Sequence, residues 1–407
     1  MEVLVSLAVP KQKISQINRP AIRFVPPWFI EYGFYATVVY SLLGPVLGLQ
    51  IDRLGIVMLV GLASLSSLYI MERPRDFFRT LVFPVGLVIS FLLIQMMYHG
   101  LSINQGYVKP FIPWICTLFV VLALTGRPGF FHRFMIFALL IGSIFLFFLD
   151  FREGGDGVVR MGLEKGAVGG MSNPNTLGAW FGFCTVYFFM LGLVTGRQKT
   201  RFVSWVIAFG CLFVVTLTVS RGVLLATIIA IILGSREFLK RGFLPLFLLF
   251  VLAWVAYGMG LFDQAITFYT MRATEESGRF LVWPLAFEAF LNAPLTGVGA
   301  SNAEVFVPVA AKKITPHNGF LLIAMASGIF PLIFYAAYWI QATWAALKQQ
   351  TERTENAKVF LPLVAYAFLI CLSGNMTFME PWVVVTIATT VISQNRNSAS
   401  LSKHNSV

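Results

Sequence analysis

The chain has 407 residues, 57% of them hydrophobic and only 12% charged, with a formal net charge of +12. A soluble domain carries roughly twice that charged fraction, so the composition excludes an ordinary soluble protein and points to an all-α polytopic membrane protein. The excess of Lys and Arg would elsewhere suggest nucleic acid, but so little soluble surface remains that no nucleic-acid partner is expected.

Residues 1–28 open with Met1–Pro10, apolar but short and without a preceding basic region, so no cleavable signal peptide is expected. The basic stretch Lys11–Arg23 follows, and the whole segment reads as a cytoplasmic or interfacial arm on the membrane. Apolar runs able to cross a core of ~30 Å then recur. They are Phe29–Leu49, Leu54–Met71, Thr80–Tyr98, Phe111–Leu124, Phe130–Leu149, Thr176–Thr195, Phe202–Val219, Gly222–Leu239 and Phe243–Leu261, forming a bundle over 29–261. After a polar stretch, 262–318, three more follow within 319–393: Gly319–Leu347, Val359–Leu372 and Trp382–Ser393. That makes about twelve transmembrane helices, with a polar tail at 394–407 that reads as disordered and cytoplasmic.

With the N-terminus in the cytoplasm, alternation through twelve spans puts 20 of the 30 Lys and Arg on the inner side. Every inner loop is then basic, as the positive-inside rule requires. The outer, periplasmic side receives two long loops, Asp150–Asn175 and Phe262–Asn318, and the inner loops are too short for a soluble domain. The polar chemistry is therefore expected outside.

In the second outer loop, Phe280, Trp283, Phe287 and Phe290 recur at i, i+3, i+7 and i+10, one stripe of an amphipathic helix. Pro284 is tolerable only near a first turn, so the helix is expected to begin around Trp283. Asn292-Ala293-Pro294 ends it and Gly297-Val298-Gly299 allows a tight turn. The stripe either lies on the outer leaflet or packs on the bundle.

Three residues on the outer face carry chemistry. Arg221 is the only charge between Phe202 and Leu233. A guanidinium in hydrocarbon costs about 2.5–3.5 kcal/mol even on lenient scales, so it is a functional-site candidate by default. Arg279 opens the amphipathic helix and His317 lies in Thr315-Pro316-His317-Asn318-Gly319. His99 is the other outer histidine, because His132 and His404 fall inside. Two planar guanidinium forks can hold a diphosphate and stabilise charge developing on it as it departs. A histidine, with an unperturbed pKa of about 6.5, can take a proton from an attacking hydroxyl. Together they suit a transferase with a lipid-diphosphate donor, requiring neither metal nor cofactor. Plainer readings stand beside this one. Arg221 could cap carbonyls at a helix C-terminus or snorkel to headgroups, Arg279 could pair with Glu275 or Glu276, and His317 could be held by its neighbours at a helix start.

No acidic pair of the DxD type, HExxH, P-loop or GxSxG is present. Acidic residues are scarce in the spans, which disfavours an ion-coupled transporter with a carboxylate relay. Cys116, Cys184, Cys211 and Cys371 fall inside apolar spans at unrelated spacings and read as small hydrophobes.

From about Gly169 to Gly328 the sequence resembles the O-antigen ligase family of bacterial inner-membrane proteins, a superfamily that also holds O-antigen polymerases and pilin oligosaccharyltransferases. The carriers are Gly170-Met171-Ser172-Asn173-Pro174-Asn175-Thr176-Leu177-Gly178, Thr218-Val219-Ser220-Arg221-Gly222, Gly278-Arg279 with Trp283, Pro294 and Gly297-Val298-Gly299, and Pro316-His317-Asn318-Gly319-Phe320. The first five spans match only in hydropathy. The resemblance implies a GT-C-like membrane fold and a metal- and nucleotide-independent, inverting glycosyltransferase. It would use an undecaprenyl-diphosphate-linked glycan donor at the periplasmic face of the inner membrane. By the matching motifs, Arg221 and Arg279 would engage the diphosphate and His317 would activate the acceptor. Asn173, Asn175, Asn318 and His99 are candidate substrate contacts. A ligase would use lipid A–core as acceptor and a polymerase would join repeat units. A polyprenyl-linked glycan transporter and a non-catalytic scaffold are the rivals from other classes.

Overall fold

A computed structural model describes residues 28–43, 52–71, 74–99, 111–153, 159–163, 173–239, 279–307, 312–351, 357–373 and 380–404, with isolated positions between 251 and 270. The helices are α1 (Trp28–Leu43), α2 (Asp52–Ile70), α3 (Pro74–His99), α4 (Phe111–Leu124), α5 (Phe130–Phe145), α6 (Pro174–Val194), α7 (Gln198–Leu217), α8 (Arg221–Leu239), α9 (Arg279–Asn292), α10 (Gly319–Ser327), α11 (Ile329–Thr351), α12 (Ala357–Ser373) and α13 (Val385–His404). Among the described residues, five stretches are long and apolar enough to cross a membrane: Phe78–Tyr98, Phe130–Phe148, Pro174–Val194, Gln198–Leu217 and Ile329–Gln350. Shorter apolar helices of 10–17 residues accompany them, among them Leu54–Ile70, Phe111–Leu124 and Lys358–Ser373. The protein is a helical membrane protein, built as lipid demands, with backbone polar groups satisfied inside each segment. The expected span Phe243–Leu261 lies outside the described residues apart from a few positions, as does the arm before Trp28.

The bundle is organised around α6. Every residue from Leu177 to Met190 is buried, and a helix apolar on all sides belongs in a core. It packs against α5, α7, α8 and α12. Trp180 Nε1 donates to the Ala138 carbonyl of α5 at 2.9 Å, and the Tyr366 hydroxyl of α12 donates to the Ala179 carbonyl at 3.0 Å. The four cysteines are buried thiols, as their positions in apolar spans suggested.

Four features depart from the sequence reading. The span expected over Gly319–Leu347 is broken at Gly328, whose φ is 76°. A Cβ there would lie 2.3 Å from the Leu295 carbonyl oxygen, so only glycine fits. The Phe320 ring lies 4.8 Å from that of Tyr335, so α10 and α11 fold back on each other as a hairpin. The two segments expected as outer loops also contain antiparallel ribbons, β1 (Leu149–Glu153) with β2 (Val159–Leu163) and β3 (Val305–Val307) with β4 (Lys312–Ile314). Helix α9 begins at Arg279 rather than Trp283. Pro284 forfeits only the bond to the Phe280 carbonyl, in the second turn of the helix. Finally, α13 runs through the expected tail to His404, since no glycine or proline interrupts 385–404.

The opposite end of the bundle carries an ion network that the sequence reading passed over. Glu31 is 2% exposed and meets Arg127 Nε at 2.8 Å and Arg133 Nε at 2.7 Å. Arg133 Nη2 and the Tyr35 hydroxyl also donate to the carboxylate, each at 2.9 Å. The network ties α1 to the α4–α5 connection. Removing the carboxylate leaves two guanidinium groups without it, one of them largely buried. Glu31→Ala is expected to destabilise the protein by about 2–4 kcal/mol, the partial exposure of Arg133 lowering the figure. Thermal unfolding in detergent, compared with Glu31→Gln, measures it.

Candidate functional site

The turn between α7 and α8 is strained. Val219 has φ 50°, a conformation that a β-branched residue rarely adopts and that costs about 1–3 kcal/mol. Its surroundings hold it there, because Thr218, Val219 and Ser220 are all at most 3% exposed. Thr218 Oγ1 donates to the Val215 carbonyl at 2.7 Å and the Val219 amide to the Thr216 carbonyl at 3.1 Å. The Leu224 amide donates to the Ser220 carbonyl at 3.0 Å, which starts α8 with Arg221 as its first residue. Arg221 is half-buried and pairs with no acidic side chain among the described residues. A cation at a helix N-terminus is opposed by the helix dipole by about 0.3–1 kcal/mol. A bound anion would offset both costs.

Beside this turn begins α6. Asn173 caps it, its Oδ1 accepting from the Asn175 amide at 2.9 Å, with Pro174 at the first helical position. Asn173 is exposed and Asn175 half-buried. One turn further, a Cβ on Gly178 would meet Thr218 Oγ1 at 2.6 Å. The glycine therefore lets the asparagine turn and the Arg221 turn lie side by side.

His317 is the other described non-glycine residue with positive φ, at 47°. It is exposed and sits between β4 and α10. Asn318, 7% exposed, caps α10, its Oδ1 accepting from the amides of Phe320 at 3.0 Å and Leu321 at 3.1 Å. In Asn318, a candidate substrate contact from sequence, the side-chain oxygen is thus engaged in holding the turn. Trp283 Nε1 donates to the Pro316 carbonyl at 2.8 Å. Arg279 stands four residues before Trp283 on α9, hence on the same helix face. Its side chain lies outside the described residues, as does that of His99, the last residue of α3.

Contacts along α12 bring these turns to one end of the bundle. Tyr366 touches the first turns of α6 through Ala179, and Phe368 lies 5.6 Å from Phe320 in the first turn of α10. The early turns of α6, with the Thr218 turn beside them, therefore lie at the same level along α12 as the first turn of α10, and Trp283 joins α9 to the start of α10. The far side of α10 is held by α3. Gln95 Nε2 donates to the Ala326 carbonyl at 3.1 Å and to Ser327 Oγ at 2.8 Å, while its Oε1 accepts from the Ala300 amide at 2.9 Å. Tyr98 adds a hydrogen bond to the Gly297 carbonyl.

Residues 206–336 match the family model described as O-Antigen ligase. This segment belongs to the O-antigen ligase family. The match contains Arg221, Arg279 and His317, whereas Asn173, Asn175 and His99 precede it. Curated proteins offer no match to the chain. The O-antigen ligase segment is the part that forms the strained turns, α9 and the α10–α11 hairpin, and it implies an enzyme of glycosyltransferase type acting on a lipid-linked glycan and a glycan acceptor.

The aromatic stripe of α9 is not its packing face: Trp283 and Phe290 are half-buried and Phe287 is exposed. The helix packs through Val282, Ala286 and Ala289 against Val305, Met325 and Ala326, while Phe287 is 49% and Leu291 56% exposed. Gln95 and Tyr98 were not singled out from sequence. A glutamine near the end of an apolar helix was the available signal, because burial there requires partners.

The contact of Gly178 with Thr218 makes a direct test. Gly178→Ala is expected to destabilise by about 1–3 kcal/mol through overpacking. Gly178→Ala combined with Thr218→Ala should lose less stability than the two single changes summed, as coupled neighbours do. Additive losses in thermal unfolding would show that the two turns are not in contact.

Proposed function

We propose that the protein transfers a glycan from undecaprenyl diphosphate to an acceptor hydroxyl at the periplasmic face of the inner membrane, with lipid A–core as the acceptor of an O-antigen ligase. The observation that supports this reading best is the coincidence of strain and charge. The two non-glycine residues with positive φ among the described residues are His317 itself and Val219, two residues before Arg221. Strain of this kind persists where the surrounding structure enforces it, and it concentrates at ligand clamps and active sites.

In this reading Arg221 and Arg279 grip the diphosphate through bidentate hydrogen bonds. The dipole of α8, unfavourable to Arg221 alone, becomes favourable once the anion is bound. His317 accepts the proton of the acceptor hydroxyl as its oxygen bonds to the anomeric carbon from the face opposite the leaving group. The bond from that carbon to the diphosphate oxygen breaks, and undecaprenyl diphosphate departs with the electron pair, its charge stabilised by the arginines. The anomeric centre is inverted. The protein's own side chains supply every group in this scheme.

The test uses purified protein in liposomes, a defined undecaprenyl-diphosphate glycan, lipid A–core and EDTA. Transfer is expected without nucleotide or added metal. His317→Ala should lower kcat by about 10²–10⁴-fold, and Arg221→Lys, which keeps charge but loses the planar fork, by about a hundredfold. A folded His317→Ala protein with full activity, or transfer that depends on added metal or nucleotide, contradicts the mechanism. Growth of the lipid-linked glycan without use of lipid A–core would identify a polymerase instead.

A further inference from the structure

The Trp283 hydrogen bond does more than pack α9 onto the hairpin. The residue that follows its acceptor carbonyl is His317, held at φ 47°. A residue at that φ relaxes readily unless both flanks are fixed. On the C-terminal flank Asn318 fixes it through two amide bonds. On the N-terminal flank the hydrogen bond from Trp283 to Pro316 is the corresponding restraint. The same indole stands one helical turn, about 6 Å of rise, from Arg279. Helix α9 is itself anchored beneath by Val282 and Ala286, both buried, so the indole donates from a rigid support.

We infer that Trp283 is a positioning residue, a strut that fixes the strained His317 turn and sets its separation from Arg279. This rests on the transferase reading above. The strut would hold the proton acceptor at a constant distance from the group gripping the donor diphosphate. Loss of its N–H then affects the chemical step and leaves donor capture intact. A displacement of about 1 Å between reacting groups can cost a hundredfold in rate, so one hydrogen bond at this place outweighs its contribution to stability.

The experiment compares the wild type with Trp283→Phe and with a protein carrying benzothienylalanine at position 283, which keeps the bicyclic shape and lacks only the N–H. Each is expected to lower kcat about tenfold to a hundredfold with the donor KM unchanged. Without any substrate, amide hydrogen exchange should quicken at Asn318–Leu322 and stay unchanged in α11 and α6. Unchanged kcat in both variants overturns the strut. So does a loss of donor binding accompanied by faster exchange throughout, which marks a merely structural role. If Trp283→Phe fails to fold, the benzothienylalanine protein decides. A wild type that transfers no glycan counts against the transferase reading, whereas the exchange result judges the strut separately.

Discussion

In a bilayer each backbone amide and carbonyl must find its partner inside the protein, and this constraint shapes everything described above. Helices satisfy their middles and leave four donors at each N-terminus. Those ends are therefore the natural places for polar chemistry. Asn173 caps α6, Arg221 opens α8, Arg279 opens α9 and Asn318 caps α10. Three motifs of the family segment, and the asparagine turn before it, mark helix starts. The buried helix α6 supplies the common reference, because Gly178 touches the α7–α8 turn and Ala179 accepts from Tyr366 of α12.

The second organising element is the break at Gly328. A continuous span would have carried His317 away from the other turns at the full length of a rod. The hairpin brings Phe320 back against Tyr335 and Phe368, which sets His317 among them. Both ends of α10 are then secured by side chains from elsewhere, Trp283 at its start and Gln95 at its finish. A nine-residue helix has little stability of its own, so those restraints determine where it stands.

Much of this was legible in the sequence, for physical reasons. Hydropathy finds helices because lipid imposes long apolar runs, and the match at Phe111–Leu124 is complete. Arg221 and His317 stood out through scarcity, one as the sole charge of an apolar stretch and the other as one of four histidines. What stayed hidden depends on contacts distant in sequence. The break at Gly328 is imposed by the Leu295 carbonyl, and the strain at Val219 by its burial. The strand Val159–Leu163 carries no alternation to announce it, being buried without interruption over its last three residues, where Met161 and Leu163 join the core. Glu31 falls near the start of the apolar run Phe29–Leu49, and its two arginine partners lie about a hundred positions away. Pro284 misled because a proline penalty was weighed without the packing of Val282 and Ala286 that outweighs it.

The central claim is that the two strained turns face one diphosphate-bearing ligand. Hydrogen exchange of the reconstituted protein, with and without undecaprenyl diphosphate, tests it most directly. The account predicts that amides of Val219–Val223 and of His317–Leu321 become protected together, and that undecaprenyl monophosphate protects them far less. Protection confined to one of the two turns, or equal protection by both lipids, would contradict it.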